Sequence, residues 1–145
     1  MIVTKYWIGV VPKEYVNIAV EGNFCQVCNG KKQFIDKLAP GDHLIYYSPK
    51  LTITTKEKYQ KFIAAGTVVS ADSFQVEMLP GFTPYRKRMT FETIKREVPL
   101  AEIRDENAWK SVRANLRFGL MQVSESLFVT IYDKMMTPGE NHFNK

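Results

Sequence analysis

The sequence predicts an α+β fold in which a small curled sheet is flanked by short helices. Three observations support this prediction. Short runs of β-branched and aromatic residues recur along the chain and are separated by turns that contain Pro and Gly, which is typical of strands. Two short stretches with helical spacing of apolar residues interrupt these runs. A longer amphipathic stripe near the end of the chain predicts a C-terminal helix that packs on the sheet.

The N-terminal part predicts one central strand and one short helix. Residues 6–11 are apolar on both faces, which is typical of a strand that is covered on both sides. Gly9 inside this strand indicates a bulge or the close approach of another part of the chain. Pro12 begins a helical stretch that ends at Gly22.

The middle of the chain predicts the remaining strands. Phe34 to Leu38 has apolar residues at helical spacing, enough for one or two turns. Pro40-Gly41-Asp42 is a turn signal that leads into a buried strand over residues 43–48. Further strands are predicted over residues 62–69, 74–78 and 85–91.

The C-terminal part predicts the closing helix. Ser124 has the side chain of a helix N-cap, and the apolar stripe that follows it runs to Met135. Trp109 is expected in the core. Residues 1–136 are expected to form a single domain, and residues 137–145 a flexible tail.

Composition and charge limit the classes of partner that the chain is expected to bind. The chain has 145 residues and a formal net charge of +5, which favours polyanionic partners and nucleic acid first. A basic surface that only confers solubility is the alternative. No apolar run approaches the roughly 20 residues that cross a bilayer, and the N-terminus lacks the pattern of a signal peptide. We therefore expect no membrane partner and a cytoplasmic location.

The two cysteines form a Cys25-x-x-Cys28 pair. A zinc site usually takes four ligands, and the sequence contains neither a second such pair nor paired histidines. A redox pair normally opens a helix after a strand, whereas Asn29-Gly30 indicates a turn. We interpret the cysteines as two thiols in a packed segment and expect neither a metal nor a cofactor.

Residues 24–32 combine an aromatic ring, amide side chains, a glycine and two lysines. This polar segment is followed by a strand that ends in Tyr47-Ser48-Pro49, and sites for planar ligands are often built from such a pair. Farther along, period-two geometry places Arg86 and Arg88 on one face of a strand. An anion site and an ordinary salt-bridged face both remain open for these arginines.

Six segments, in this order, resemble the EVE-domain family, specifically its small stand-alone UPF0310 members: Gly22–Lys31, Gly41-Asp42, Tyr46–Lys50, Phe62–Val68, Pro84–Arg88 and Arg117–Leu120. One departure concerns the residue before the Gly-Lys pair. The family commonly has His there, whereas this chain has Asn29. Asn donates and accepts hydrogen bonds but does not titrate near neutral pH.

The resemblance implies a PUA-like pseudo-barrel of mixed strands, akin to YTH and ASCH domains. It also implies a non-catalytic reader of a modified or extruded nucleobase, in RNA more readily than in DNA. By similarity, Phe24 is a pocket wall, and Cys25 and Gln26 offer hydrogen bonds to the base edge. The expected base pocket comprises Phe24, Cys25, Gln26, Asn29, Ser48 and Tyr85, with Trp7 either as the pocket floor or, preferably, in the core. The expected phosphate contacts are Lys31, Arg86, Arg88 and Arg117.

The alternative function is a small hydrolase, an amidohydrolase acting on a modified base or nucleoside as some ASCH relatives do. Lys31 would then be a desolvated nucleophile. It has no obvious carboxylate partner in the sequence, and the nearest histidine is His43. We therefore assign no catalytic residue. A protein-binding domain is a third alternative, and it differs from the other two in having no concave pocket.

Overall fold

The computed structural model describes residues 3–138, and this part of the chain contains eight strands and four α-helices. The strands are β1 (Tyr6–Val10), β2 (Phe24–Cys25), β3 (His43–Ser48), β4 (Lys61–Val68), β5 (Phe74–Gln75), β6 (Tyr85–Phe91), β7 (Val98–Pro99) and β8 (Leu120–Val123). The helices are α1 (Lys13–Gly22), α2 (Lys32–Ile35), α3 (Asn107–Lys110) and α4 (Glu125–Met136), with 3₁₀ turns at Cys28–Gly30, Leu100–Glu102 and Arg113–Phe118. Residues 139–145, most of the predicted tail, lie outside the described residues.

The strands form one mixed sheet with the order β2-β6-β4-β3-β1-β8, while β5 pairs with β6 and β7 pairs with β4. β1 and β3 are parallel. The other pairings are antiparallel. The predicted α+β class and the central position of β1 are therefore confirmed.

The sheet separates two hydrophobic cores, because successive side chains of a strand point to opposite faces. Trp7 and Tyr46 belong to the first core, which packs under α1 and α2. Ile8 and Tyr47 belong to the second core, which packs under α4 and includes Trp109 as predicted. The two faces of β1 are thus both covered, as its apolar pattern indicated.

Gly9 allows a close approach between β1 and its surroundings. A Cβ atom at this position would lie 3.2 Å from Val27 Cγ1 and 3.3 Å from Tyr46 Cδ1. Tyr46 is the register partner of Gly9 on β3, so its ring lies over the space that a side chain at position 9 would fill. The close approach predicted for Gly9 is confirmed, and it brings Tyr46 beneath the loop that follows β2.

One strand is shorter than predicted, and one helix has the shorter of its two predicted lengths. The expected strand over residues 74–78 is wrong beyond Gln75, because only two residues of β5 pair with β6. Met78 donates its backbone N–H to Phe82 O at 2.9 Å, so the chain has already turned back at this point. The predicted helix at Phe34–Leu38 is a single turn, α2, that ends at Ile35.

The terminal helix follows its sequence signals closely. Ser124 is the N-cap of α4, and its hydroxyl oxygen accepts a hydrogen bond from Leu127 N at 3.1 Å. Leu127, Phe128, Ile131 and Met135 are buried against the sheet. The prediction of an N-capped amphipathic helix that packs on the sheet is confirmed.

Asp42 is a buried carboxylate that binds backbone and side-chain N–H groups. Only 2% of Asp42 is exposed. Its Oδ2 accepts hydrogen bonds from Trp7 Nε1 and Ala39 N, each at 3.0 Å, and its Oδ1 accepts one from Lys5 N at 3.1 Å. Trp7 is therefore a core residue whose polar atom is satisfied internally. The Pro40-Gly41-Asp42 turn is tied to β1 by these bonds.

We expect the substitution Asp42→Asn to destabilise the fold. An amide group has one oxygen, so at least one of the three N–H donors would lose its acceptor, at a cost of about 1–3 kcal/mol in the free energy of unfolding. Urea unfolding measures this change. The matched control is Asp72→Asn, because Asp72 is exposed in a loop. Equal stability of the two variants would contradict the structural role of Asp42.

Candidate functional site

A cleft of about 380 Å³ opens where β1, α1 and the loop after β2 meet the segment before β8. Its walls are aromatic and aliphatic, and most of its polar groups belong to the loop after β2. The aromatic lining consists of Tyr15, Phe34, Phe82 and Phe118, and the polar and cationic lining consists of Gln26, Cys28, Asn29, Lys31 and Arg117. The volume lies in the range of sites for small molecules.

The loop that forms the polar side has an unusual backbone. Cys28, Asn29 and Gly30 have φ values of 51°, 60° and 75°. Asn adopts this left-handed conformation more readily than most side chains, and Gly adopts it without strain. A Cβ atom at Gly30 would lie 2.1 Å from Pro84 Cβ. Contact with Pro84 therefore requires glycine here and fixes the loop against the segment before β6.

Gln26 is held at three of its polar atoms. Its backbone N donates to the Tyr46 hydroxyl at 2.9 Å, and its backbone O accepts from that hydroxyl at 3.0 Å. Arg86 Nε donates to Gln26 Oε1 at 2.8 Å. The amide nitrogen is the fourth polar atom of Gln26 and takes no part in these three bonds. Its partner among the described residues is the Met78 sulfur at the long distance of 3.9 Å.

Arg86 is a buried cation without a carboxylate partner among residues 3–138. It is 8% exposed, and its guanidinium carbon lies 3.8 Å from the centroid of the Phe24 ring. The salt bridges of the described residues do not include it. Burial lowers the pKa of Arg86, because desolvation disfavours its charged form. An aromatic face and a neutral amide thus take the place of an acidic partner.

Arg88 lies apart from Arg86 even though both are on β6. Its guanidinium carbon lies 4.4 Å from the centroid of the Phe74 ring, and its side chain is exposed. Each arginine contacts the aromatic residue diagonal to it, since the register pairs Phe24 with Arg88 and Phe74 with Arg86. In the described part of the chain, neither arginine forms a salt bridge, and each guanidinium contacts a different ring. A phosphate contact by either arginine stays a prediction.

The structure places four of the eleven predicted site residues along the cleft: Gln26, Asn29, Lys31 and Arg117. Phe24 is 5% exposed and is covered by Arg86 on one face. Ser48 is fully buried and donates to Val11 O at 2.6 Å. Tyr85 is half-buried outside the cleft, with Lys32 Nζ 5.9 Å from its ring centroid. A direct role of these three residues in binding stays a prediction.

The two cysteines have different environments. Cys25 is fully buried, and its thiol donates to Lys87 O at 3.5 Å. Burial raises the pKa of the Cys25 thiol to about 12. Cys28 lines the cleft and donates to Phe118 O at 3.3 Å, and burial raises its pKa as well. Both thiols are free and protonated at neutral pH, as expected for packed cysteines.

Sequence reasoning missed the aromatic walls of the cleft and Cys28. The clearest signal in the sequence was Phe118, which stands between Arg117 and a glycine. In the structure, Phe118 is 53% exposed. Gly119 has a φ of 81°, and a Cβ atom there would lie 2.9 Å from Cys28 Sγ. The Arg-Phe-Gly segment therefore closes against the Cys28 turn, a contact between distant segments that local patterns do not reveal.

Within residues 3–138, no group of three or more His, Cys, Asp or Glu side chains is arranged to hold a metal ion. In the same part of the chain, none of the helices combines the length and hydrophobicity needed to cross a membrane.

The EVE domain family model matches residues 5–134. A UPF0310 protein of Streptococcus sanguinis is 39% identical over 132 residues, which cover 91% of this chain and 94% of that protein. A UPF0310 protein of Helicobacter hepaticus is 41% identical over 124 residues, which cover 86% of this chain and 91% of the relative. The UPF0310 protein YdcG of Bacillus subtilis is 32% identical over 136 residues, which cover 91% of this chain and 92% of YdcG.

Solved structures share the fold at low sequence identity. A protein from Leishmania major has a TM-score of 0.64 at 13% identity and covers 91% of this chain and 94% of its own. Human THYN1, solved in complex with 5-methylcytosine containing DNA, has a TM-score of 0.58 at 10% identity and covers 94% of this chain and 100% of its own.

The mixed sheet, its flanking helices and its C-terminal helix define a PUA-like α+β protein, so the fold predicted by the resemblance is confirmed. The family model matches nearly the whole chain, and the alignments with the UPF0310 proteins cover most of both sequences. The chain therefore belongs to the EVE domain family, in its UPF0310 group.

We expect the substitution Gly30→Ala to distort the cleft as well as to destabilise the fold. A left-handed conformation costs a non-glycine residue about 1–2 kcal/mol, and the contact with Pro84 adds a steric cost. The matched control is Gly41→Ala, because Gly41 has a φ of 90° but open space around its Cβ position. Urea unfolding should show a larger loss for Gly30→Ala. Equal losses would show that the Pro84 contact is dispensable.

Proposed function

We propose that this chain is a non-catalytic nucleic-acid-binding protein whose cleft receives one modified or extruded nucleobase, in RNA or DNA. The cleft beside Gln26 carries the proposal. A flipped base needs apolar or aromatic faces around its ring and polar groups at its edge, and its phosphates need cations. The lining supplies aromatic walls, the amides of Gln26 and Asn29, and the cations Lys31 and Arg117.

The fixed amide of Gln26 indicates which atoms of a base it recognises. Arg86 holds Oε1, so the N–H groups of the Gln26 amide are the atoms that we assign to the base edge. A donor matches a carbonyl oxygen or an unprotonated ring nitrogen on the Watson–Crick edge of the base. Asn29 has an exposed side chain on the same loop and supplies both a donor and an acceptor. Together, the two amides suit a base edge that carries acceptors beside a donor, as in cytosine.

The comparison with human THYN1 supports this choice of ligand. That protein has the same fold and was solved with 5-methylcytosine containing DNA. Its sequence identity to this chain is 10%, so residue roles do not transfer from it. Methylated cytosine is therefore the first modified base to test, on both ribose and deoxyribose.

The geometry gives less support to the hydrolase alternative. A nucleophilic lysine is activated by desolvation or by a neighbouring cation. Lys31 lines the cleft, but its side chain is exposed to solvent. His43, the histidine considered as a catalytic partner, lines a different cleft. We therefore keep the reader function and use product analysis to test for turnover.

We expect Gln26→Glu to weaken nucleoside binding by about tenfold or more, because it removes the N–H donor and places a carboxylate at the base edge. The fold should survive, since a glutamate at this position still accepts a hydrogen bond from Arg86. Calorimetric titration of the wild type and the variant with cytidine, 5-methylcytidine and their deoxy forms measures the change. The matched control is Gln75→Glu, because Gln75 is exposed and bonds to Thr83 O.

Mass spectrometry of the same nucleosides after prolonged incubation completes this test. Unchanged nucleosides agree with a reader, whereas conversion that is lost in Lys31→Ala would overturn the non-catalytic proposal. Equal affinities of the Gln26→Glu and Gln75→Glu variants would show that Gln26 does not bind the edge of the base.

Two cations of the cleft should contribute to the salt dependence of oligonucleotide binding. If Lys31 and Arg117 each contact a phosphate, the double Lys31→Ala, Arg117→Ala variant should lower the slope of log K against log salt by roughly 1–2. Fluorescence anisotropy over a salt series measures the slope. The double variant Lys56→Ala, Lys58→Ala removes two exposed lysines of the β3–β4 connection and should change it less. Nucleoside affinity should stay unchanged in both, because a nucleoside carries no phosphate.

A further inference from the structure

A second cleft, of about 270 Å³, lies on the face of the sheet that packs under α4. Its main lining residues are Tyr6, His43, Thr67, Glu92, Phe128 and Tyr132. Tyr6 and His43 are the first residues of the parallel strands β1 and β3 and are register partners. The chain thus builds this cleft at one end of the sheet, from residues that the proposed base site does not use.

The floor of this cleft is a cluster of aromatic rings. Tyr6 and His43 are stacked with their centroids 5.4 Å apart, and Phe128 lies 5.2 Å from Tyr6 in a tilted arrangement. Tyr132, one turn after Phe128 on α4, is stacked on it at 6.2 Å. These distances are those of favourable aromatic pairs. The cluster offers a continuous surface of ring edges and faces.

Hydrogen bonds fix the orientation of two of the rings. The Tyr6 hydroxyl donates to Glu125 Oε2 at 2.9 Å. His43 Nδ1 and Thr67 Oγ1 are 3.0 Å apart and share a hydrogen bond. A ligand would therefore meet rings that are already ordered, which lowers the entropic cost of binding.

Glu92 gives the cleft its charge. It is the one Asp, Glu, Lys or Arg side chain in the described lining, although the whole chain has a net charge of +5. Its backbone N–H donates to Ala65 O at 2.8 Å, which fixes the residue at the end of β6. Glu92 and Tyr132 line the cleft together. Burial, then the Glu92 and Asp133 carboxylates, raise the pKa of the Tyr132 hydroxyl. The salt bridges among residues 3–138 do not involve Glu92.

A carboxylate that lines a cleft beside aromatic rings repels phosphate and attracts cations. Ring faces attract a cation through their quadrupole, and the attraction is strongest for cations that are poorly hydrated. A primary ammonium is strongly hydrated and needs several hydrogen-bond acceptors to replace its water, and the faces of aromatic rings supply none. An alkylated ammonium needs none and covers the rings with its methyl groups.

We propose that the Tyr6–His43–Phe128–Tyr132 cleft is a second binding site, specific for an organic cation of the alkylated-ammonium class, with Glu92 as its counter-ion. This site is independent of the base cleft, because it lies over the other core and has the opposite charge. Its ligand is a small molecule or side chain that carries a quaternary or methylated nitrogen.

The test uses choline and 3,3-dimethylbutan-1-ol, which have the same shape but differ in charge. In a titration followed by amide chemical shifts of the ¹⁵N-labelled chain, choline should bind about tenfold more tightly than the neutral alcohol. The shifted signals should belong to residues around the cleft, such as Tyr6, Thr67 and Val129. Equal binding of the two compounds, failure of choline to saturate at tens of millimolar, or shifts confined to other surfaces would overturn the proposal.

Two variants distinguish the contribution of the Glu92 charge to choline binding from the contribution of the aromatic rings. Glu92→Gln should reduce the preference for choline over the alcohol several-fold and leave the part that the rings contribute. Glu57→Gln changes an exposed carboxylate of the β3–β4 connection and should leave the preference unchanged. Tyr132→Leu keeps an apolar side chain but removes a ring face, so it should lower the preference for choline over the alcohol. Dispersed amide signals verify that each variant is folded. Unaltered selectivity in both Glu92→Gln and Tyr132→Leu would show that the cation site is elsewhere.

Discussion

The position of the cleft loop depends on the two hydrogen bonds between the Tyr46 hydroxyl and the backbone of Gln26. Tyr46 is fully buried, and burial raises its pKa well above the ordinary value, so the hydroxyl stays protonated. In a dry core these bonds are strong, and an unpaired group there would be costly. The ring reaches this position because Gly9 leaves room for it on the neighbouring strand. A glycine in β1 thus determines where the loop after β2 is anchored.

The same sheet separates two clefts of opposite charge. Lys31 and Arg117 line the cleft on the side of the first core, whereas Glu92 lines the cleft under α4. The two clefts lie at opposite ends of β1, which contributes Val10 and, just past its end, Val11 to the first cleft and Tyr6, at its start, to the second. A change on one face need not alter the other. Binding of an anion and of a cation by one small sheet is therefore physically compatible.

Sequence patterns identified elements better than they identified contacts between elements. The apolar run of β1, the glycine within it and the Ser124 cap could be predicted because each reflects local geometry or a simple alternation. The environment of Arg86 could not, because charged side chains are normally exposed and nothing local indicates that Phe24 and Gln26 lie beside it. Lys87 makes the same point: it is 4% exposed and donates to Leu38 O at 2.6 Å. Of the predicted site residues, the structure accordingly places Gln26, Asn29, Lys31 and Arg117 along the cleft, and their role in binding stays a prediction.

On the proposed function, the environment of Arg86 also favours electron-rich ligands in the cleft. A buried guanidinium that is paired with a carboxylate has little net charge left to act on its surroundings, whereas one that rests on a ring and a neutral amide keeps its positive potential. Arg86 has the second arrangement, directly beneath Gln26. Its charge polarises the Gln26 amide and strengthens the N–H groups as donors, because hydrogen bonds in a chain reinforce one another. An acidic residue in place of Phe24 would neutralise Arg86 and weaken this effect, even though neither side chain lines the cleft.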